Sequence, residues 1–136
     1  MQTFDKKEHL CSHIQIQELM KNGHAFNVFP FRCVWLEIPK TDSFIQIAIA
    51  VPKKKLKFAH QRNLVRRRIR SLYRLNKELI INDIDQYHQT LLCLIVYNDS
   101  QVLSYETLQE KIFIVFERLH KQLFVNLSVK NDKKDE

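Results

Sequence analysis

An α+β domain with the element order α-β-β-β-α-β-α is predicted by three features of this 136-residue sequence. Apolar and branched residues alternate in "FIQIAIAVP", the pattern of a half-buried strand, and cluster again in "FNVFPFRCVWLEIP" and "TLLCLIVY". Two long segments, from about residue 59 and from residue 104, repeat apolar residues every three or four positions, and a shorter one opens the chain. Strands are grouped before the middle helix, with one after it. This grouping points to a small mixed sheet packed by helices in a two-layer sandwich, and the length suits one domain.

The elements follow in order. Ser12 with Gln15 makes a capping-box pattern, and Ile16, Leu19 and Met20 continue at helical spacing, so a helix is expected over 13–22. Gly23 is placed at the C′ position that ends it. The strand run from Phe26 to Pro39 has a break near Pro30 that could split it in two. "KTDS" is a turn, and the next strand has Ile45, Ile47, Ile49 and Val51 on one face and Phe44, Gln46, Ala48 and Ala50 on the other. These two runs are expected to pair antiparallel. A helix from Ala59 to Ile80 follows, then the linker "NDIDQYHQ" and a further strand. Ser104 is the N-cap of the last helix, with Leu103 and Leu108 as a hydrophobic staple. Leu108, Ile112, Val115, Leu119 and Leu123 keep the core spacing. The domain is expected over 1–125, with 126–136 a frayed polar tail.

Composition narrows the function. Net charge is +7 and very uneven. Lys53 to Arg74, "KKKLKFAHQRNLVRRRIRSLYR", holds ten Lys or Arg in 22 residues and no acid. The rest of the chain carries twelve basic residues against fifteen acidic ones. A local cationic block points to a polyanion as partner. Gly23 is the single glycine, which excludes a Walker loop and a dinucleotide-binding glycine motif. No apolar run approaches the roughly 18 residues of a membrane span, and the N-terminus lacks a secretory signal. Cys11, Cys33 and Cys93 have no paired spacing and read as reduced thiols of a cytoplasmic protein.

On a helical wheel, Arg62, Arg66, Arg70, Arg74, Arg67, Lys77 and Asn63 fall within about 140° of arc. Leu64, Val65, Ile69, Leu72, Leu75 and Leu79 fall on the other side, with Arg68 among them. One face is expected to anchor the helix and the other to form a cationic ridge. Solvated helix faces usually mix signs, because Glu–Lys pairs stabilise helices and like charges four apart repel. Guanidinium forks bind phosphates in bidentate fashion and stack on bases. Lys53, Lys54, Lys55 and Lys57 add mobile charges in the loop before the helix. The combination fits a folded RNA.

The block from Val51 to Arg74 resembles the signature of the bacterial ribonuclease P protein component. Lys53, Lys54, Ala59, Arg62, Asn63, Arg66, Arg67 and Arg70 match its pattern, and Arg74 extends it. "IQIQELMKNGHAF" is similar to the family's opening helix, Gly and strand entry. The resemblance covers about residues 9 to 123. There are departures: Leu64 stands where the family has an Arg, a loss that Arg68 is expected to offset in part, and Pro52 replaces a usual Ser. The resemblance implies a left-handed βαβ crossover, against the usual hand. It implies a noncatalytic subunit that binds the catalytic RNA of ribonuclease P through the basic helix and loop; the protein itself is expected to be monomeric, although the sequence does not give the oligomeric state. The single-stranded 5′ leader of precursor tRNA would lie in a cleft between the opening helix and the sheet. The holoenzyme is an endonuclease that matures tRNA 5′ ends, with its Mg2+ on the RNA.

Which strand face lines that cleft is open from the residues. Phe29, Phe31, Cys33 and Trp35 share one parity, Phe26, Val28, Val34 and Leu36 the other, and both sets are apolar. The resemblance favours Phe31 and Trp35, with Ile16 and Met20 opposite; both could equally be core. Phe58 is open in the same way. His9, Cys11 and His13 are a weak metal pattern without a fourth ligand nearby. Asp83 with Asp85 and Glu106 with Glu110 make no convincing nuclease site. The alternative function is a ribosomal or other structured-RNA-binding protein with no role in cleavage.

Overall fold

The computed structural model describes residues 13–39, 41, 43–78 and 89–134, with side chains as far as Leu123. Helix α1 (His13–Asn22) leads into strands β1 (His24–Val28), β2 (Phe31–Pro39) and β3 (Ile45–Ala50). Helix α2 (Ala59–Asn76), strand β4 (Gln89–Tyr97) and helix α3 (Tyr105–Lys134) complete the α-β-β-β-α-β-α order. His9, Cys11, Ser12, the Asp83–Asp85 pair and the linker of residues 79–88 lie outside the described residues.

The sheet order is β1-β2-β4-β3, with β1–β2 and β2–β4 antiparallel and β3–β4 parallel. The expected break at Pro30 separates β1 from β2, which fold back on each other. The expected pairing of β2 with β3 does not occur, because β4 lies between them. Burial accounts for this: Leu91, Leu92, Cys93, Ile95 and Tyr97 are fully buried on both faces of β4, as suits a central strand. β3, α2 and β4 form a βαβ unit around that pair.

One sheet face is closed by α2 and α3. Phe26, Phe31, Cys33, Trp35, Ile45, Ile47, Cys93 and Ile95 meet Val65, Ile69, Leu72, Tyr73, Leu108, Ile112, Val115 and Phe116 in one core. The other face is only partly covered by α1, as a partial third layer. There Leu19, Val34 and Leu92 are buried, with Ile16, Leu36, Ile38, Ala48 and Leu94 half-buried around them.

Gly23 does not have the left-handed backbone expected of a C′ glycine, since no glycine has a positive φ. Its role is close approach. A Cβ there would strike the Leu19 carbonyl oxygen and lie 3.0 Å from Val34 Cγ1 and 3.1 Å from the Trp35 oxygen. Gly23 N–H also donates to the Leu19 carbonyl at 2.8 Å. At α3, Ser104 caps as expected: Thr107 N–H donates to its Oγ at 3.2 Å. The α3 backbone continues to Lys134, past the point where the sequence suggests a polar tail. No Gly or Pro follows residue 105 to stop it.

Candidate nucleic-acid interface

Helix α2 sits differently from the wheel. Its buried side chains are Val65, Ile69, Leu72 and Tyr73. Lys77, just past its end, is 7% exposed, with Nζ 5.9 Å from the Tyr73 ring centroid. The buried stripe is therefore rotated by roughly 75° toward the side of Arg62. Tyr73, inside the expected cationic arc, drives this by packing its ring 6.0 Å from Phe116. Leu75 turns outward and is half exposed, and Lys77 leaves the ridge.

The rotation sorts the arginines. Asn63, Arg67, Arg70 and Arg74 are exposed along one edge of the helix. Among the described residues no carboxylate pairs with any of them. Arg66 is half-buried and donates to Asn63 Oδ1 at 2.9 Å. Arg62 is also half-buried, and its Nη1 donates to the carbonyls of Leu56 and Lys57, both at 2.9 Å. It closes the loop on the helix as well as carrying charge. Arg68 donates to the Leu103 carbonyl at 2.8 Å, before α3. That contact turns it toward the segment before α3 and away from the exposed row.

The loop before α2 extends the ridge. Lys55 and Leu56 N–H both point to the Pro52 carbonyl, at 3.1 and 3.3 Å. The turn buries Leu56 and leaves Lys53, Lys54, Lys55 and Lys57 exposed. The first turn of α2 has no acid and no side-chain cap. Four exposed loop lysines thus precede the exposed Arg67, Arg70 and Arg74 of the helix, with the half-buried Arg62 and Arg66 between them, a surface suited to several phosphates.

The predicted cleft residues separate. Ile16 and Met20 are on α1, where Ile16 packs toward the open face and Met20 is exposed. Phe31 and Trp35 are on the closed face, 1% and 3% exposed, and cannot reach a ligand beside α1. Trp35 Nε1 instead donates to Gln122 of α3 at 2.8 Å. The cause is the turn at Pro30: Phe26 lies opposite Cys33 and Val28 opposite Phe31, so even residues of β1 share a face with odd residues of β2. Treating 26–39 as one strand hides that switch. The residues that do face α1 are Arg32, Val34, Leu36 and Ile38 of β2, with Ala48 and Leu94 beside them. Arg32 was missed: it puts one charge on this parity, but Glu37 puts one on the other, so charge along β2 does not pick out the open face. Among the described residues no group of three or more His, Cys, Asp or Glu is placed to hold a metal ion. No helix among them is long and apolar enough to cross a membrane.

Comparison with known proteins agrees with this architecture. The chain is 36% identical over 85 residues to the ribonuclease P protein component of two Porphyromonas gingivalis strains. That match spans 62% of this chain and 61% of the relatives' length. The RNase P protein of Staphylococcus aureus superposes with a TM-score of 0.65 at 16% identity, over 82% of this chain and 94% of the other. That of Thermotoga maritima gives 0.64 at 18%, over 82% and 96%. At these identities the two structures speak for the fold alone. The family model described as Ribonuclease P matches residues 4–120, most of the sequence, and the chain therefore belongs to the ribonuclease P family.

Proposed function

We propose that this chain is the noncatalytic protein subunit of a ribonuclease P holoenzyme that removes 5′ leaders from precursor tRNA in the cytoplasm. The basic loop and the ridge of α2 bind the catalytic RNA. The half-open groove beside α1 takes the single-stranded leader: Arg32 offers a charge, and Met20, Leu36 and Ile38 offer apolar surface to unstacked bases. The RNA carries the Mg2+ and the hydrolytic chemistry. The chain acts as a monomer by holding RNA in place.

The observation that carries this reading is the exposed row Asn63, Arg67, Arg70 and Arg74, which follows four exposed loop lysines in the chain and has no carboxylate partners among the described residues. Uncompensated like charge on a folded surface is relieved by a polyanion.

The test is reconstitution with the cognate RNA subunit at low magnesium, scored by 5′ processing of precursor tRNA. Wild type should restore cleavage. The combined Arg67→Ala, Arg70→Ala and Arg74→Ala variant should bind the RNA subunit more weakly. Its log K against log salt should be shallower by about 2 to 3, one phosphate contact per arginine. Arg62 and Arg66 are left intact because both have partners within the protein. Unchanged RNA affinity in the triple variant, or recovery of ribosomal RNA in place of the RNA subunit, would refute the reading.

A further inference from the structure

Phe58 breaks a local rule of helix construction. It is the N-cap residue of α2, with φ −90° and ψ 131°. Ser, Thr, Asp or Asn at this position would accept a hydrogen bond from the first turn. A phenyl ring cannot, and no side chain caps this helix. Burial does not compensate: Phe58 is 61% exposed, while Leu56 two residues earlier is 2% exposed. The ring is stacked with His60, at 5.8 Å between centroids and 27° between planes.

Its neighbours are cations. Lys57 precedes it and is exposed, as are Lys53, Lys54 and Lys55 in the same loop. The Phe58 carbonyl accepts from Gln61 and Arg62 N–H, at 3.1 and 3.2 Å, which fixes its backbone to the first turn. The Arg62 guanidinium in turn holds the Leu56 and Lys57 carbonyls. The aromatic pair is thus mounted on a braced loop. A large apolar ring kept in water, at the expense of a cap and within the most basic part of the chain, suits a ligand with a flat π face and adjacent negative charge.

We propose that the Phe58–His60 pair is a stacking platform for an unpaired base of the bound RNA, with the phosphates flanking that base on Lys57 and the Lys53–Lys55 turn. This rests on the reading of the ridge as an RNA interface and adds a contact of a different kind to it. Stacking accepts any base, so the platform selects an unstacked nucleotide over a paired one.

The experiment measures affinity of the full chain for the cognate RNA subunit over a salt series, with thermal melting to verify folding. Phe58→Ala and Phe58→Leu should each weaken binding by roughly 5- to 100-fold. The salt slope should not change, because no cation is removed. Phe58→Trp should bind like wild type. Full affinity in Phe58→Ala, which would leave the ring for a protein partner, overturns the proposal. So does full affinity in Phe58→Leu, which would reduce stacking to apolar contact, or an altered salt slope, which would make Phe58 a support for the lysines. An Arg67→Ala, Arg70→Ala control separates the two levels. If it also binds normally, the interface reading has failed; if it binds weakly while the Phe58 variants do not, the platform alone has failed.

Discussion

The two faces of the sheet are made by the same strands but meet different surroundings. On the closed face α2 and α3 cover Phe31, Cys33, Trp35, Ile45, Ile47, Cys93 and Ile95, and none is more than 3% exposed. On the open face α1 rests on β2 and β4, so Leu36, Ile38, Ala48 and Leu94 stay half-buried and Arg32 is exposed. Because side chains alternate along a strand, one segment of β2 serves both purposes. The closed face supplies the main hydrophobic stabilisation. The open face keeps apolar surface beside a charge, where a flexible ligand can use it.

The largest expected effect tests this division within one strand. Phe31→Ala should destabilise the fold by about 3–5 kcal/mol, the usual range for a truncated buried aromatic. Leu36→Ala, five residues on and facing the other way, should cost about 1–2 kcal/mol, because part of its side chain is already in water. Urea unfolding of both variants measures the contrast. Equal losses would mean that the open face is core in all but name.

Gly23→Ala comes next and acts at the seam between α1 and the open face. Two of the three atoms nearest the added methyl are backbone oxygens, of Leu19 and Trp35, which cannot swing aside as a side-chain end could. Overpacking of this kind should cost about 1–3 kcal/mol. It should also shift α1 and weaken leader binding while leaving RNA-subunit affinity intact, since α2 is on the other side of the sheet. A parallel loss of both affinities would show that the two surfaces are not separate.

Gln122→Leu probes the closed face alone. Trp35 Nε1 would lose its acceptor while the ring stays enclosed, at a cost of about 1 kcal/mol. Trp35 is the single tryptophan, so its fluorescence reports the change directly.

What the sequence disclosed follows the same line between local and distant causes. The end of α1 at Asn22 and the Ser104 cap are set by neighbours a few residues away, and both were legible. So were Arg67, Arg70 and Arg74, since an acid-free cationic row on a helix needs no tertiary information to be seen. The insertion of β4 between β2 and β3 depends on contacts across more than forty residues, which no local pattern encodes. The exchange of Phe31 and Trp35 from cleft to core has another origin. Both parities of β2 are apolar, so alternation could not choose between them. The rotation of α2 came from Tyr73, which the wheel left unassigned and which packs against a ring on α3.

The smallest effect concerns how dry the closed face is. Cys33 and Cys93 face each other there with sulfurs 3.6 Å apart and no bond between them. The hydrogen bond with Cys93, followed by burial, pushes the Cys33 thiol well above its ordinary value of 9.0. A raised thiol pKa means the folded chain holds its proton more tightly than the unfolded chain does. Below the unfolded value both states are protonated and the stabilisation is fully present. As pH rises past that value the unfolded chain ionises first, and stability falls until the folded thiol titrates too. Tyr97, raised mainly by burial, contributes in the same direction from about its ordinary value of 10.0. Urea midpoints of wild type should therefore be insensitive to these two groups at neutral pH and decline in alkaline buffer. Cys33→Ala should be less stable at neutral pH, from the smaller side chain, yet decline less steeply between pH 8 and 10, before Tyr97 dominates. Identical alkaline slopes would show that water reaches the thiol, and with it the interior of the face on which the whole contrast depends.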